Sequence, residues 1–248
     1  MQFSKKDIII KSWRLMSKHL LLLTTMVVFI FSLIILFTVV QDKLMIELTY
    51  QSIIFIIASS LFNQGISLGL VCVSLSIING NEVKFSLLFA GFHMLLQYVL
   101  ASMIYLLFIL LAATPGACLL FVSIYKNSSS SLASMMSMLG ILLIIVPTVY
   151  LSIRLQFFNY FLIDKECGIM ESIKNSATIS KGRVLELFVF GAYLSLIVLI
   201  SLIPLSIGLT ISPPLAALLA IPVGLSFIFT IIALGYVYTI LKSNIKPL

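Results

Sequence analysis

Gly65-Ile66-Ser67-Leu68-Gly69 fits G-x-S-x-G, the spacing that presents a serine nucleophile on a sharp strand-to-helix turn in many hydrolases. Here the motif lies inside an apolar run, and a transmembrane helix cannot supply that turn. A serine nucleophile also needs a base about 3 Å away. Counting along the spans puts Ser67 about 16 Å and His93 about 7 Å from the inner ends of their helices, a mismatch of about 9 Å in depth that leaves the two unconnected. His93 and Gln97, four residues apart in the inner part of the third span, have helical spacing for a proton relay. A single histidine near an interface is more simply a satisfied structural residue. Asn63 and Gln64 sit mid-span with Ser60, Ser67 and Ser74 on the same face. Such groups either border a solute path or tie helices together through hydrogen bonds of about 0.6 kcal/mol each. A path for ions usually shows carboxylates or cations at depth. In this chain the acids stay at segment ends: Asp7, Glu82, Asp164, Glu166, Glu171 and Glu186 on the inner side, Asp42 and Glu47 on the outer. Asn63, Gln64, Ser67, His93 and Gln97 therefore read as polar residues of a bundle interior. Cys72, Cys118 and Cys167 show no C-x-x-C or His/Cys spacing and read as structural thiols, so the pattern implies no metal, cofactor or catalytic set.

The elements that carry these residues follow from composition. Apolar side chains make up 61% of the 248 residues and charged ones 9%, against about 25% charged in a soluble domain. The mean hydropathy is +1.23. Lipid must be the solvent, and uninterrupted apolar runs near 20 residues can only be helices there. Polar punctuation divides the chain into one all-α integral membrane domain with six spans, near 20–40, 51–78, 88–113, 135–153, 184–205 and 215–241. The long run 85–125 is cut at Thr114-Pro115-Gly116, because proline removes a helix donor, and 118–125 is then expected on the outer face. The apolar run from Leu20 to Val40 is about twice the length of a signal-peptide core and reads as a retained first span. Gly65 and Gly69 form a G-x-x-x-G that admits another backbone, which makes the second span the central helix. The serine-rich stretch 126–131 reads as an outer linker.

Of 15 Lys and Arg, all but Lys43 and Lys126 fall on one side of this arrangement. Cytoplasmic loops are enriched in these residues, so both termini are expected to face the cytoplasm. The net charge of +7 then reflects contact with an anionic inner leaflet, with no call for nucleic acid. The most polar stretch is DKECGIMESIKNSATISKGR, Asp164 to Arg183. On a helical wheel Ile169, Met170, Ile173, Ala177, Ser180 and Val184 fall within about 100°. A helix there is about 21 Å long, too short to cross a core of about 30 Å. It is expected to lie on the inner surface with that stripe toward lipid and Lys174 and Lys181 reaching headgroups. Residues 5–19 repeat the device, with a stripe of Ile9, Trp13, Met16 and Leu20 and a Ser4/Asp7 capping box. Glu171, Lys174, Lys181 and Arg183 are the candidate surface for lipid or for a membrane or cytosolic protein partner.

Arg154, Phe157, Tyr160, Asp164, Gly168, Glu171, Ser172, Ser176, Ser180 and Gly182, followed by a Leu/Phe-rich span, resemble the signature region of the membrane domain found in some bacterial glycerophosphodiester phosphodiesterases and related multi-span bacterial proteins. Asn79-Gly80, Phe85 and Gly91-Phe92 are similar to the second loop of that family, so the likeness covers roughly residues 65–238. In the family an Ala usually stands where this chain has Ser172. The resemblance implies membrane architecture rather than the phosphodiesterase barrel that some members also carry. The leading functional expectation is a non-enzymatic scaffold or accessory module of the envelope. A transporter, or the membrane subunit of a transport complex, is the alternative. Pro147, Pro204 and Pro222 interrupt spans as in transporters, and Glu171-Ser172-Ile173 is similar to the Glu-Ala-Ala loop of importer permeases, although Ala177 replaces that loop's glycine. An enzyme acting on lipid is a third reading with no residues of its own here.

Overall fold

The computed structural model describes residues 5–44, 50–125, 131–165 and 167–243. They form α1 (Lys5–Ser17), α2 (Leu20–Leu44), α3 (Tyr50–Asn79), α4 (Leu87–Ala90), α5 (Leu95–Tyr125), α6 (Ser131–Leu155), α7 (Phe158–Lys165), α8 (Ile169–Ile179), α9 (Val184–Ile211) and α10 (Pro213–Ser243). A 3₁₀ turn, Gly91–Met94, joins α4 to α5, and no strand occurs among the described residues. Six stretches are long and apolar enough to cross a bilayer, Leu20–Lys43, Tyr50–Asn79, Leu87–Tyr125, Ser134–Lys165, Val184–Ile211 and Pro214–Ser243. The chain is thus an all-α, six-span integral membrane protein. Ser4 of the expected capping box, Glu47, Glu166, Lys246 and linker residues 126–130 lie outside the described residues.

The expected break at Thr114-Pro115-Gly116 does not occur, and α5 runs unbroken to Tyr125. Pro115 cannot donate to the carbonyl four residues earlier, that of Leu111. The Thr114 hydroxyl fills the vacancy, donating to Leu111 O at 2.7 Å. Residues 118–125 therefore extend a span instead of lying on a surface. Similarly, α9 continues through Pro204 to Ile211, six residues past its expected end.

The backbone falls into two compact units. The first comprises residues 1–96, 163–165 and 189–248. Here α3 is central, packed by α4, the 3₁₀ turn, α10, α2 and α1. Gly69 meets the Leu88 backbone directly, Gly65 lies under the Phe92 ring, and Gly91 rests on Leu68. Gly224 of α10 gives the same close approach to Val27 and Phe31 of α2. A ladder of tilted rings, from Phe37 to Phe62 to Phe92 to Phe89 to Phe29, fills the space between α2, α3 and α4.

Burial in this unit is uneven along the helices. α3 buries Gly65, Ile66, Leu68, Gly69, Val71, Val73, Ser74, Leu75 and Ile77, but only Ser52 in its first half. α2 buries Leu23, Met26 and Val27 near its start, and α10 buries mostly residues from Val223 to Leu241. The same end carries Lys18, Lys84 and Lys242. At 30 residues α3 is about 45 Å long, some 15 Å more than a hydrocarbon core needs.

In the second unit, residues 97–162 and 166–188, α5 and α6 form an antiparallel pair. Ser123 and Ser137 share a hydrogen bond of 2.6 Å, and Gly116 packs on Gly140 and Ile144. Beyond the hairpin, Ala101, Leu155, Phe158 and Ile173 form a buried cluster with Tyr98 and Tyr105 stacked on Phe158.

Candidate functional site

The polar stretch singled out in the sequence becomes a junction of three helix ends in the second unit. α6 stops at Leu155 and α7 restarts at Phe158, so the backbone groups around the interruption need partners. Ser176 of α8 supplies both. Its hydroxyl donates to Arg154 O at 3.0 Å and accepts the Phe157 N–H at 3.1 Å, and the side chain is fully buried. The Arg154 guanidinium closes the junction from the other side, its Nη2 donating to Ala177 O at 2.7 Å. That carbonyl belongs to the last turn of α8, where the aligned peptide dipoles favour a cation. Tyr150, one turn back on α6, places its ring 5.7 Å from the same guanidinium. At the end of α8 the Ser180 hydroxyl donates to Ser176 O at 2.9 Å, and Gly182 takes a φ of 78°, turning the chain into α9.

This packing turns α8 away from the expected orientation. Its buried line is Ser172, Ile173, Ser176, Ile179 and Ser180, and Met170 is 61% exposed. The buried face is rotated by about 60° from the apolar stripe Ile169, Met170, Ile173, Ala177, Ser180 and Val184. Serines lead it because a small hydroxyl side chain permits close helix approach and answers backbone groups at an interruption. The Ser172, Ser176, Ser180 spacing was the signal available in the sequence. α1 behaves alike, burying Ile8, Ser12 and Met16. Its apolar stripe of Ile9, Trp13, Met16 and Leu20 instead lines a groove of about 340 Å³ with Pro222, Leu225 and Phe229. Of the surface candidates, Glu171, Lys174 and Lys181 are exposed and Arg183 is half-buried.

The residues expected in a bundle interior lie elsewhere. Asn63, Ser67, His93 and Gln97 are exposed, and Gln64 is half-buried with Oε1 enclosed and unpartnered. The interior of the first unit goes to the Gly65/Gly69 face, because a backbone can reach glycine and cannot reach an amide side chain. The expected depth mismatch is also corrected. Phe92 sits against Gly65 and Gly91 against Leu68, so the His93 turn runs level with Ser67. The reason is that 80–86, after α3 ends, lead the chain back along it before α4 begins at Leu87. His93 Nδ1 is engaged with Ala90 O of its own turn, and Ser67 stays within an unbroken helix. No nucleophile elbow forms.

A second polar arrangement lies in the first unit. Asp164 accepts hydrogen bonds from the Tyr238 hydroxyl, at 2.7 Å, and from Lys242 Nζ, both on α10. Tyr238 is fully buried. This ties the three-residue segment 163–165 to the end of α10. Among the described residues no group of three His, Cys, Asp or Glu side chains is placed to hold a metal ion. The sequence matches no family model, no curated protein and no solved structure.

Proposed function

We propose that this protein is a non-catalytic scaffold or accessory module of a bacterial cytoplasmic membrane, both termini cytoplasmic, that receives a partner on the outward face of α8. The observation that carries this reading is the pairing of a fixed helix with a free charged face. Ser176 and Arg154 clamp α8 to α6, while Met170, Glu171, Lys174, Thr178 and Lys181 point outward. A rigid amphipathic helix with open charges is a low-entropy recognition element for a protein surface. The concentration of lysine and arginine at one end supports the orientation, with an anionic inner leaflet beside it.

A photo-cross-linker in place of Lys174 should capture one protein partner in cells, and Glu171→Lys should abolish the adduct. Adducts with lipid alone, or a defined hydrolytic activity of the reconstituted protein, overturn the proposal. A transporter or transport subunit is the second reading, favoured by the interruption at Gln156–Phe157 between α6 and α7. Solute flux in proteoliposomes would establish it.

A further inference from the structure

Asn63 stands near the middle of the 30-residue α3, and its side chain is exposed, as are those of Ser60 and Ser67. At about 100° per residue, Ser60, Asn63, Ser67 and Ser74 fall within about 60° of one another, on a single face. Ser74, toward the Asn79 end, is buried, its hydroxyl donating to Ile231 O of α10 at 3.3 Å. As the second and sixth crossings, α3 and α10 run in the same direction, so the level of Ser67, about 10 Å from Ser74, is that of Gly224 on α10. There α10 leans on Val27 and Phe31 of α2, and the polar face of α3 stands open from Ser67 toward Tyr50. An open face is ordinary where lipid meets apolar side chains. For an amide in the middle of a crossing it is costly, because hydrocarbon offers no hydrogen bond and such groups turn to protein or water.

The open stretch also has a period. Ile53, Ile56, Ser60, Asn63 and Ser67 follow at alternating intervals of three and four, the 3.5-residue seam of a left-handed helix pair. Ile53 is 53% exposed. We propose that a second copy of this chain covers this face, α3 against α3 about a two-fold axis normal to the membrane. Copies inserted in the same orientation carry each residue at the same depth, so that axis sets Asn63 opposite Asn63 of the second copy. An amide carries both donors and an acceptor, and two amides across the axis answer each other with two hydrogen bonds. Ser60 and Ser67, about one turn to either side, are small enough to let the backbones approach. The surface lies in the first unit and uses no residue of α8. Loss of a partner on α8 would leave the pairing intact, and a monomeric chain would leave docking on α8 intact.

The test counts copies of the full chain, each carrying one fluorophore, by single-molecule photobleaching in vesicles of phosphatidylethanolamine and phosphatidylglycerol. Two-step bleaching should exceed random co-occupancy and rise with the protein-to-lipid ratio. Asn63→Leu should move the half-point to a higher ratio by at least about fivefold, since both hydrogen bonds of the pair are lost at once. Leu218→Ala, on an exposed side chain of α10, should leave the half-point in place. If Asn63→Leu does not fold, Ser67→Leu, whose added bulk holds the two backbones apart, carries the same comparison. One-step bleaching at every ratio, or a dimer indifferent to the α3 variant, overturns the proposal. So does labelling of Ser67→Cys by a membrane-impermeant maleimide above that of the unsubstituted chain, because water and not protein would then cover the face.

Discussion

Replacing Ser176 by alanine removes one hydroxyl that serves two backbone groups. The Phe157 N–H, 3.1 Å from Ser176 Oγ, lies at the gap between α6 and α7 and loses that acceptor. That costs about 1–3 kcal/mol. Arg154 O, 3.0 Å away, loses a donor worth about 0.5–1.5 kcal/mol. Cβ stays in place and only one oxygen is removed, so the void left is a single atom in size, and the loss comes to about 2–4 kcal/mol. Ser176→Thr keeps the hydroxyl and separates loss of the bonds from a change of shape. Hydrogen exchange in detergent reads the effect locally, since 2 kcal/mol corresponds to about a thirtyfold loss of protection. Protection should fall at Phe157 and across α8 while α3 and α10 keep theirs. Loss of less than about half a kcal/mol, or a loss spread evenly over the chain, would refute the claim that this serine holds the junction.

Gly69→Ala should sharply reduce the folded yield, because the added methyl meets the Leu88 backbone, whereas Gly191→Ala, with open space around it, should be neutral or slightly stabilising; fluorescence-detected size exclusion compares the two. Ser123→Cys with Ser137→Cys should cross-link under mild oxidation, since the two hydroxyls lie 2.6 Å apart, and a gel shift after reducing-agent controls scores it. In a double-mutant cycle, Asp164→Asn and Lys242→Gln should couple by no more than about 1 kcal/mol in thermal unfolding, because the lysine side chain is 37% exposed and solvent screens the pair. Thr114→Val should destabilise α5 locally by leaving Leu111 O unmatched beside Pro115, read as faster exchange at the α5 amides.

Six spans and the central place of α3 were legible in the sequence because both follow from strong local signals, apolar runs and a G-x-x-x-G. The path of the chain between spans was not. Nothing local says that 80–86 turn back along α3, and this reversal brings the His93 turn level with Ser67. Proline was misread at Pro115 because the compensating hydroxyl belongs to the preceding residue, a pairing that weighing each residue alone misses. Of the polar residues of α3, Ser74 faces inward as expected, its buried hydroxyl donating to Ile231 O at 3.3 Å, while Asn63 and Ser67 are exposed, because steric access at Gly65 and Gly69 decides which face packs there. For α8 the apolar stripe was visible, but its neighbour was not. The buried line follows unmet backbone groups on α6, a demand that exists only after α6 has stopped at Leu155.

The uneven burial of α2, α3 and α10 divides their mechanical duties. Where α3 is locked from Gly65 to Ile77, protein neighbours set its position, and distortion breaks close contacts. Toward Tyr50 the adjoining material is mostly solvent lipid, so tilt there answers to membrane thickness at fractions of a kcal/mol per ångström. A thicker or thinner bilayer would splay or gather the free halves like tent poles fixed at the base, leaving the locked end undisturbed.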